Sequence, residues 1–172
     1  MRLLAWSRCA VASWLLLAAI GLGAQAVSKA RKDADALVRA VLPMAQELLR
    51  ARGEFAPFGA RMNAAREVEE LANADERERR PAGSGSELRE RLETELKSGN
   101  ILATALVYEA RLTTNLSLPT VDAIAISVIH RHGYSAIFAF PYRFTGGQLK
   151  LGDVQIVEQH GDSNVGRAKR AK

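Results

Sequence analysis

The strongest constraint on the fold is a change in hydrophobic period near Ile101. From there onward apolar side chains recur at every second position, which is the period of a half-buried β-strand. Three runs carry this pattern: Ile101–Leu112, Val121–His130 and Tyr134–Phe144. The turn 131–133 between the second and third runs is short and contains Gly133, as in a β-hairpin. The second half of the chain therefore predicts an antiparallel sheet.

The first half of the chain predicts a helix followed by a hairpin. Apolar residues over 34–52 are spaced by three and four, which defines one face of an amphipathic helix. Pro43 interrupts this pattern and predicts a kink or two short helices. Over 55–63 the period is two, since Phe58, Ala60 and Met62 alternate with other residues, and 67–72 predicts a weaker returning strand.

A polar, Gly/Ser-rich stretch separates this hairpin from a second helix. Residues 73–86 predict a mobile linker. Ser84 and Glu87 have the spacing of a capping box, and leucines at 88, 92 and 96 form a narrow apolar stripe before Gly99. Beyond the three alternating runs, Gly146-Gly147 predicts a turn and Gln148–Glu158 a further extended segment.

These elements predict an α+β fold. We expect an antiparallel sheet of about five strands covered by two helices, in the order α-β-β-α-β-β-β. Ile124, Ile126 and Val128 should face one or both of the covering helices, while alanines 123 and 125 and Ser127 should occupy the opposite side. Residues 27–160 are predicted to form this single domain, with 161–172 as a basic disordered tail.

The N-terminus has the layout of a secretory signal peptide over residues 1–26. Arg2 and Arg8 precede an apolar run, and Ala24-Gln25-Ala26 places small residues before a cleavage site at Val27. The apolar run is shorter than the about 20 residues that a membrane-spanning helix needs. An uncleaved membrane anchor is the alternative. We therefore expect a periplasmic or secreted protein, released by cleavage near Ala26.

The cysteine lies near one end of the chain, and the excess of positive charge lies at its two ends. Cys9, the one cysteine, falls inside the predicted signal, so the mature chain has no thiol chemistry. The formal net charge of +5 includes Arg2 and Arg8, and four further cations occupy 167–172. The body between them is close to neutral, which argues against nucleic-acid binding, because that function needs a basic face on the folded domain.

Three segments resemble a family of small, uncharacterised bacterial proteins. They are Gly53-Glu-Phe-Ala-Pro-Phe-Gly-Ala60, Asp122-Ala-Ile-Ala-Ile-Ser-Val128 and Phe140-Pro-Tyr-Arg143, and the similarity covers about residues 37–152. The resemblance implies no activity and no catalytic residues. This chain has Ala64-Ala65 where the family often has a glycine-containing turn. The order of its elements is also similar to that of roadblock and profilin-like domains, which are mostly binding modules.

Two pairs of residues are candidate sites in the sheet. His130 and His132 are two positions apart, so on a strand they would face the same way and, with His160 or Glu109, could ligate a metal. The alternative is that both histidines flank the hairpin turn and face solvent. Tyr142 and Arg143 follow a proline and could form a recognition surface for a partner. Their alternative role is to end the strand and pack the sheet edge.

A third candidate is the basic tail. Its cations, which could attach the protein to an anionic surface of the envelope, are Arg167, Lys169, Arg170 and Lys172. The sequence has no phosphate-binding loop and no dinucleotide fingerprint, so no cofactor is predicted. Ser127 lacks the flanking glycines of a hydrolase nucleophile, and no catalytic residue is assigned.

Three functions remain open on this sequence. We favour an exported, non-catalytic binding or interaction domain whose partner is an unknown protein or envelope component. The second hypothesis is an envelope-associated protein held by peripheral contact of the basic tail with an anionic surface. The third is a metal-dependent protein that uses the pair His130 and His132.

Cleavage is the first prediction. We expect the exported protein to begin at Val27, because small residues precede that position and the apolar run is too short to anchor. N-terminal sequencing of the exported protein measures this directly. Recovery of a chain that starts at Met1 in the membrane fraction would contradict it.

Overall fold

The structure, a computed structural model, describes residues 12–71, 84–113 and 120–159. Within these ranges, side chains are described for all residues except 12–24 and Ser84. The described elements, in chain order, are α1 (Ala12–Arg52), β1 (Phe58–Asn63), β2 (Val68–Leu71), α2 (Ser84–Lys97), β3 (Ile101–Leu112), β4 (Val121–His130), β5 (Ser135–Thr145), β6 (Gln148–Leu151) and β7 (Gln155–Glu158). The predicted linker falls largely outside these ranges, and the predicted tail falls wholly outside them. None of the helices in the described part has the length and apolar character that a membrane-spanning segment needs.

All seven strands of the described residues join one antiparallel sheet. Its order is β2-β1-β3-β4-β5-β6, and β7 also pairs with β5. The α+β class and the antiparallel sheet with two helices are confirmed, and the alternating runs coincide with β3 and β4. The sheet has seven strands rather than about five. One reason is that the segment predicted over Gln148–Glu158 is divided into β6 and β7, with the bonded pair Gly152 N–H to Pro141 O between them.

Helix α1 continues through Pro43 as one helix, so the prediction of two short helices is wrong. Pro43 is exposed, which leaves water free to solvate the carbonyl that loses its N–H partner. Buried residues on both sides of it, from Leu37 to Leu49, hold the helix against the sheet. That burial offsets the about 3 kcal/mol that an interior proline costs.

The two helices pack on opposite faces of the sheet. Helix α1 covers the face that carries Val107, Ile124, Ile126 and Val128, as predicted for the last three. Helix α2 packs on the other face through a smaller cluster, whose buried members are Leu71, Leu88, Leu92 and Leu106. The domain therefore has a large core under α1 and a smaller one under α2.

Gly59 allows the close approach of α2 to β1. A Cβ atom at this position would lie 3.3 Å from a side-chain methyl of Leu88 and 3.3 Å from one of Leu92. That separation is shorter than ordinary van der Waals contact, so a larger residue would push α2 away from the sheet.

The hairpin between β1 and β2 turns through Ala64-Ala65-Arg66. Arg66 N–H bonds to Asn63 O at 2.9 Å, and Asn63 N–H bonds to Glu67 O at 3.0 Å. Arg66 has a φ of 65°, the left-handed conformation that glycine adopts most easily. Two backbone hydrogen bonds thus form the turn although it lacks a glycine. The unfavourable left-handed backbone conformation falls on Arg66.

The large core generates the second prediction. Ile126→Ala should lower the free energy of unfolding by about 2–5 kcal/mol, because Ile126 is fully buried beneath α1. Urea denaturation measures the change. Ile156→Ala is the matched control, since that side chain is 42% exposed and its loss should cost far less. Equal losses in the two variants would show that β4 is misplaced.

Candidate functional site

The two candidate histidines have different environments. His130 ends β4 and is buried, with 2% of its surface exposed, so the expectation that both histidines face solvent is wrong for this one. His132 lies in the turn after β4 and is exposed. Its backbone N–H donates to Nδ1 of His130 at 3.1 Å, and the two ring centroids are 5.2 Å apart. They are neighbours across a turn rather than on one face of a strand.

His130 faces an ion pair that joins α1 to the first hairpin. Asp33, itself buried, accepts from Nε of Arg66 at 2.7 Å. Nε2 of His130 lies 3.4 Å from Oδ2 of Asp33 but lacks the alignment of a hydrogen bond. Because Nδ1 already accepts from the backbone N–H of His132, a neutral His130 carries its proton on Nε2, the nitrogen on the side of Asp33. The cluster of Asp33, Arg66 and His130 thus connects three elements at one end of the sheet.

Burial lowers the pKa of His130 below its ordinary value. The carboxylate of Asp33 acts in the opposite direction, whereas His132 and Arg131 lower the pKa further. Desolvation is the largest cause and outweighs the opposing effect of Asp33, whose charge is shared with Arg66 in an ion pair. Protonation at Nδ1 would also set two N–H donors against each other. The structure therefore favours neutral His130.

The other proposed metal ligands do not join this pair. Glu109 lies six residues along β3 from Ala103, the cross-strand partner of His130, or about 20 Å away at the rise of a strand. His160 lies outside the described residues. Among the residues described, no three His, Asp or Glu side chains are grouped as a metal site.

Tyr142 and Arg143 point to opposite faces of the sheet, as consecutive residues of β5 must. Tyr142 is half-buried against the core under α1, and its ring meets Phe144 edge-on at 6.2 Å. Its pKa is raised by burial and by the charges of Glu109 and Asp122. Arg143 is exposed and pairs across the strands with Lys150. The structure does not bring the two residues together in one patch.

The candidate tail cations, Arg167, Lys169, Arg170 and Lys172, lie outside the described residues. Their predicted role as an attachment device therefore stays a prediction.

A cleft opens at the end of the sheet opposite His130. It lies between the start of α2, the segment before β1 and the strand β3, and has a volume of about 460 Å³. The residues that line it are Phe55, Pro57, Gly85, Ser86, Arg89, Leu106, Tyr108 and Glu109. Phe55 and Leu106 are buried, Tyr108 is half-buried, and Arg89 is exposed. The cleft thus combines apolar walls with two charged groups of opposite sign.

The difference in length between β1 and β3 creates this cleft. β3 has 12 residues and β1 has six, and their pairing ends at Phe58 with Val107. Before Phe58 the chain leaves the sheet, and the backbone N–H of Phe55 bonds to the side chain of Glu109 at 2.8 Å rather than to a strand. This bond holds the segment before β1 as one wall of the cleft.

Glu109 is the acidic group of the cleft, and its pKa is raised. Desolvation is the largest cause, and the carboxylates of Glu54 and Asp122 add to it, while the bond from Phe55 N–H acts in the opposite direction. Asp122 is 3.5 Å from the guanidinium of Arg111, and both are exposed. The two charged groups that raise the pKa of Glu109 are thus both carboxylates, one of which is paired with Arg111.

Sequence reasoning missed this cleft as a site. It considered Glu109 only as a partner of the histidines, and Phe55 only within a family-like segment. Strand length was the available signal, since a run of 12 alternating residues beside a strand of six leaves part of the longer strand unpaired. The contact between Phe55 and Glu109, 54 positions apart, had no sequence signature.

Comparisons with known proteins add no relative. No family model, no curated protein and no solved structure matches this chain. The resemblance to an uncharacterised bacterial family therefore stays a prediction.

The cluster at His130 generates the third prediction. Because the pKa of His130 is lower in the folded chain than in the unfolded chain, the unfolded chain binds more protons below about pH 6.5. The contribution of His130 to stability is fully present above that pH and is lost as the pH falls toward its folded pKa. We expect His130→Asn to reduce the loss of stability between pH 7.5 and 5.5 in urea titrations.

His132→Asn is the matched control for this titration, since His132 is exposed. It should keep the pH dependence of the unchanged protein. If the His130 and His132 variants respond equally to pH, the buried imidazole is not the titrating group.

Proposed function

We propose that this chain is an exported binding domain whose binding site is the cleft beside β3. The observation that carries the proposal is the composition of that cleft. Buried Phe55 and Leu106 offer apolar surface, and Glu109 and Arg89 offer one charge of each sign at its walls. Ligand sites in proteins commonly have this character, mostly apolar with a few polar groups that fix orientation, and volumes of about 300–1,000 Å³.

The bond between Glu109 and Phe55 supports binding rather than acid–base chemistry at this carboxylate. One oxygen of Glu109 is occupied by a backbone N–H, which orients the side chain. The charged side chains that act on Glu109 are Glu54 and Asp122, two exposed carboxylates. A carboxylate that is exposed and oriented in this way is suited to holding a charged or hydrogen-bonding group of a ligand.

The proposal that the domain is exported is supported by burial along α1. Residues 25–29 are all exposed, and Ala30 is the first buried residue among the described side chains. Cleavage after Ala26 would therefore leave the described core intact. The apolar run and the small residues before Val27 are the further support for a signal peptide.

Photo-crosslinking in cells that export the protein tests the proposed site. A benzophenone side chain at position 89 should give a defined adduct, because Arg89 is exposed at the wall of the cleft. The same group at position 150 is the control, since Lys150 is exposed on β6 at the far edge of the sheet. Tyr108→Ala, at unchanged melting temperature, should remove the adduct at position 89. No adduct there, or equal adducts at both positions, would overturn the proposal.

A further inference from the structure

The backbone beside the cleft offers an open strand edge. β1 pairs with β3 only as far as Val107, and β4 lies on the other side of β3. Within the described residues, the stretch of β3 from Tyr108 to Leu112 has no strand beside it on the β1 side. An extended peptide can bond to such an edge through its main chain, and side-chain pockets then determine which sequence it accepts.

The charged residues around this edge favour a positively charged side chain on a bound peptide. Glu109 lies at the border of the cleft, on the α1 face of β3, where its carboxylate accepts from the Phe55 N–H. Glu54 and Asp122 lie close enough to raise its pKa. A cation placed beside Glu109 would stabilise its ionised form, whereas an acidic side chain would add to the repulsion. Arg89 and Arg111 are the basic groups near this end, and Arg111 is engaged with Asp122.

The apolar walls fit the rest of a basic side chain. Lysine and arginine bury their aliphatic stems against apolar surface while the charged end keeps a polar partner. Phe55 provides that surface beside Glu109, since it belongs to the core under α1 and its backbone N–H bonds to the Glu109 carboxylate. Aromatic rings also attract cations that lie over their faces.

We propose that the occupant of the cleft is an extended peptide segment of a partner protein, which places a lysine or arginine side chain against Glu109. This inference rests on the proposed function, because it assigns a ligand class to the same cleft. The main chain of the peptide bonds to the open edge of β3, the aliphatic stem of its basic side chain packs on Phe55, and the charged end of that side chain pairs with the carboxylate.

Amide NMR titration with two short peptides tests this assignment. The probes are acetyl-Ala-Lys-Ala-amide and acetyl-Ala-norleucine-Ala-amide, which differ in the charged end of one side chain. We expect the lysine probe to shift the amide signals of Leu106 to Ala110 and to bind about fivefold more tightly than the norleucine probe, as for a partly exposed ion pair. Equal affinities would overturn the cation assignment but leave the cleft as a binding site.

Variants of the carboxylates complete the test. Glu109→Gln keeps an oxygen that can accept the Phe55 N–H but loses the charge, so it should remove the preference for lysine. Glu54→Gln is the matched control and should retain most of that preference, because Glu54 does not line the cleft. If neither probe shifts the β3 signals of the unchanged protein, both this inference and the proposed function fail.

The basic tail of the chain is the competing occupant. We expect the affinity for the lysine probe to be unchanged in the whole chain that carries Arg167→Ser, Lys169→Ser, Arg170→Ser and Lys172→Ser. Clearly tighter binding in that variant would show that the tail itself occupies the cleft and would overturn the assignment to a partner.

Discussion

The packing of α1 across one face of the sheet is the interaction on which the rest of the structure depends. Its buried side chains, from Ala30 to Leu49, form one core cluster with residues of β1, β3, β4 and β5. Burial of apolar surface is the main favourable contribution to the stability of a domain of this size. The ion pair between Asp33 and Arg66 joins the same helix to the turn between β1 and β2.

The position of the cleft follows from this arrangement. With one face of the sheet covered by α1, the second helix packs on the other face, where Gly59 lets Leu88 and Leu92 come close. The first turns of α2 then lie near the point where β1 begins and β3 continues alone. The proposed site is thus formed by the ends of elements that rigid packing holds in place, a common origin of binding sites.

Periodicity predicted most of the fold. The bounds of β3 and β4 matched the alternating runs, because side chains on a strand with one buried face must alternate and the signal is long. By the same rule Tyr142 and Arg143 face opposite sides of the sheet. The sequence alone could therefore have excluded a recognition surface formed by both residues. The two short helices predicted at Pro43 were wrong because the energy that keeps α1 whole comes from contacts with the sheet, which local propensity does not contain.

Features that depend on distant contacts were not predictable in this way. His130 is buried because the start of the packed part of α1 covers the end of β4, and no pattern near position 130 indicates that. Glu109 acquires its role from the segment before β1, which contacts it across 54 positions. The predicted tail and signal regions lack alternating or helical core patterns, so their roles are argued from charge and composition alone.

The ionisation of Glu109 tests the central claim, that a cation belongs beside this carboxylate. Carbon-13 NMR titration of the side-chain carboxyl gives its pKa in the free protein and in the protein saturated with the lysine peptide. The account predicts a pKa above the ordinary glutamate value in the free protein and a clear decrease with the peptide bound, because a nearby cation favours the carboxylate. A pKa that is unchanged or raised on binding would contradict it.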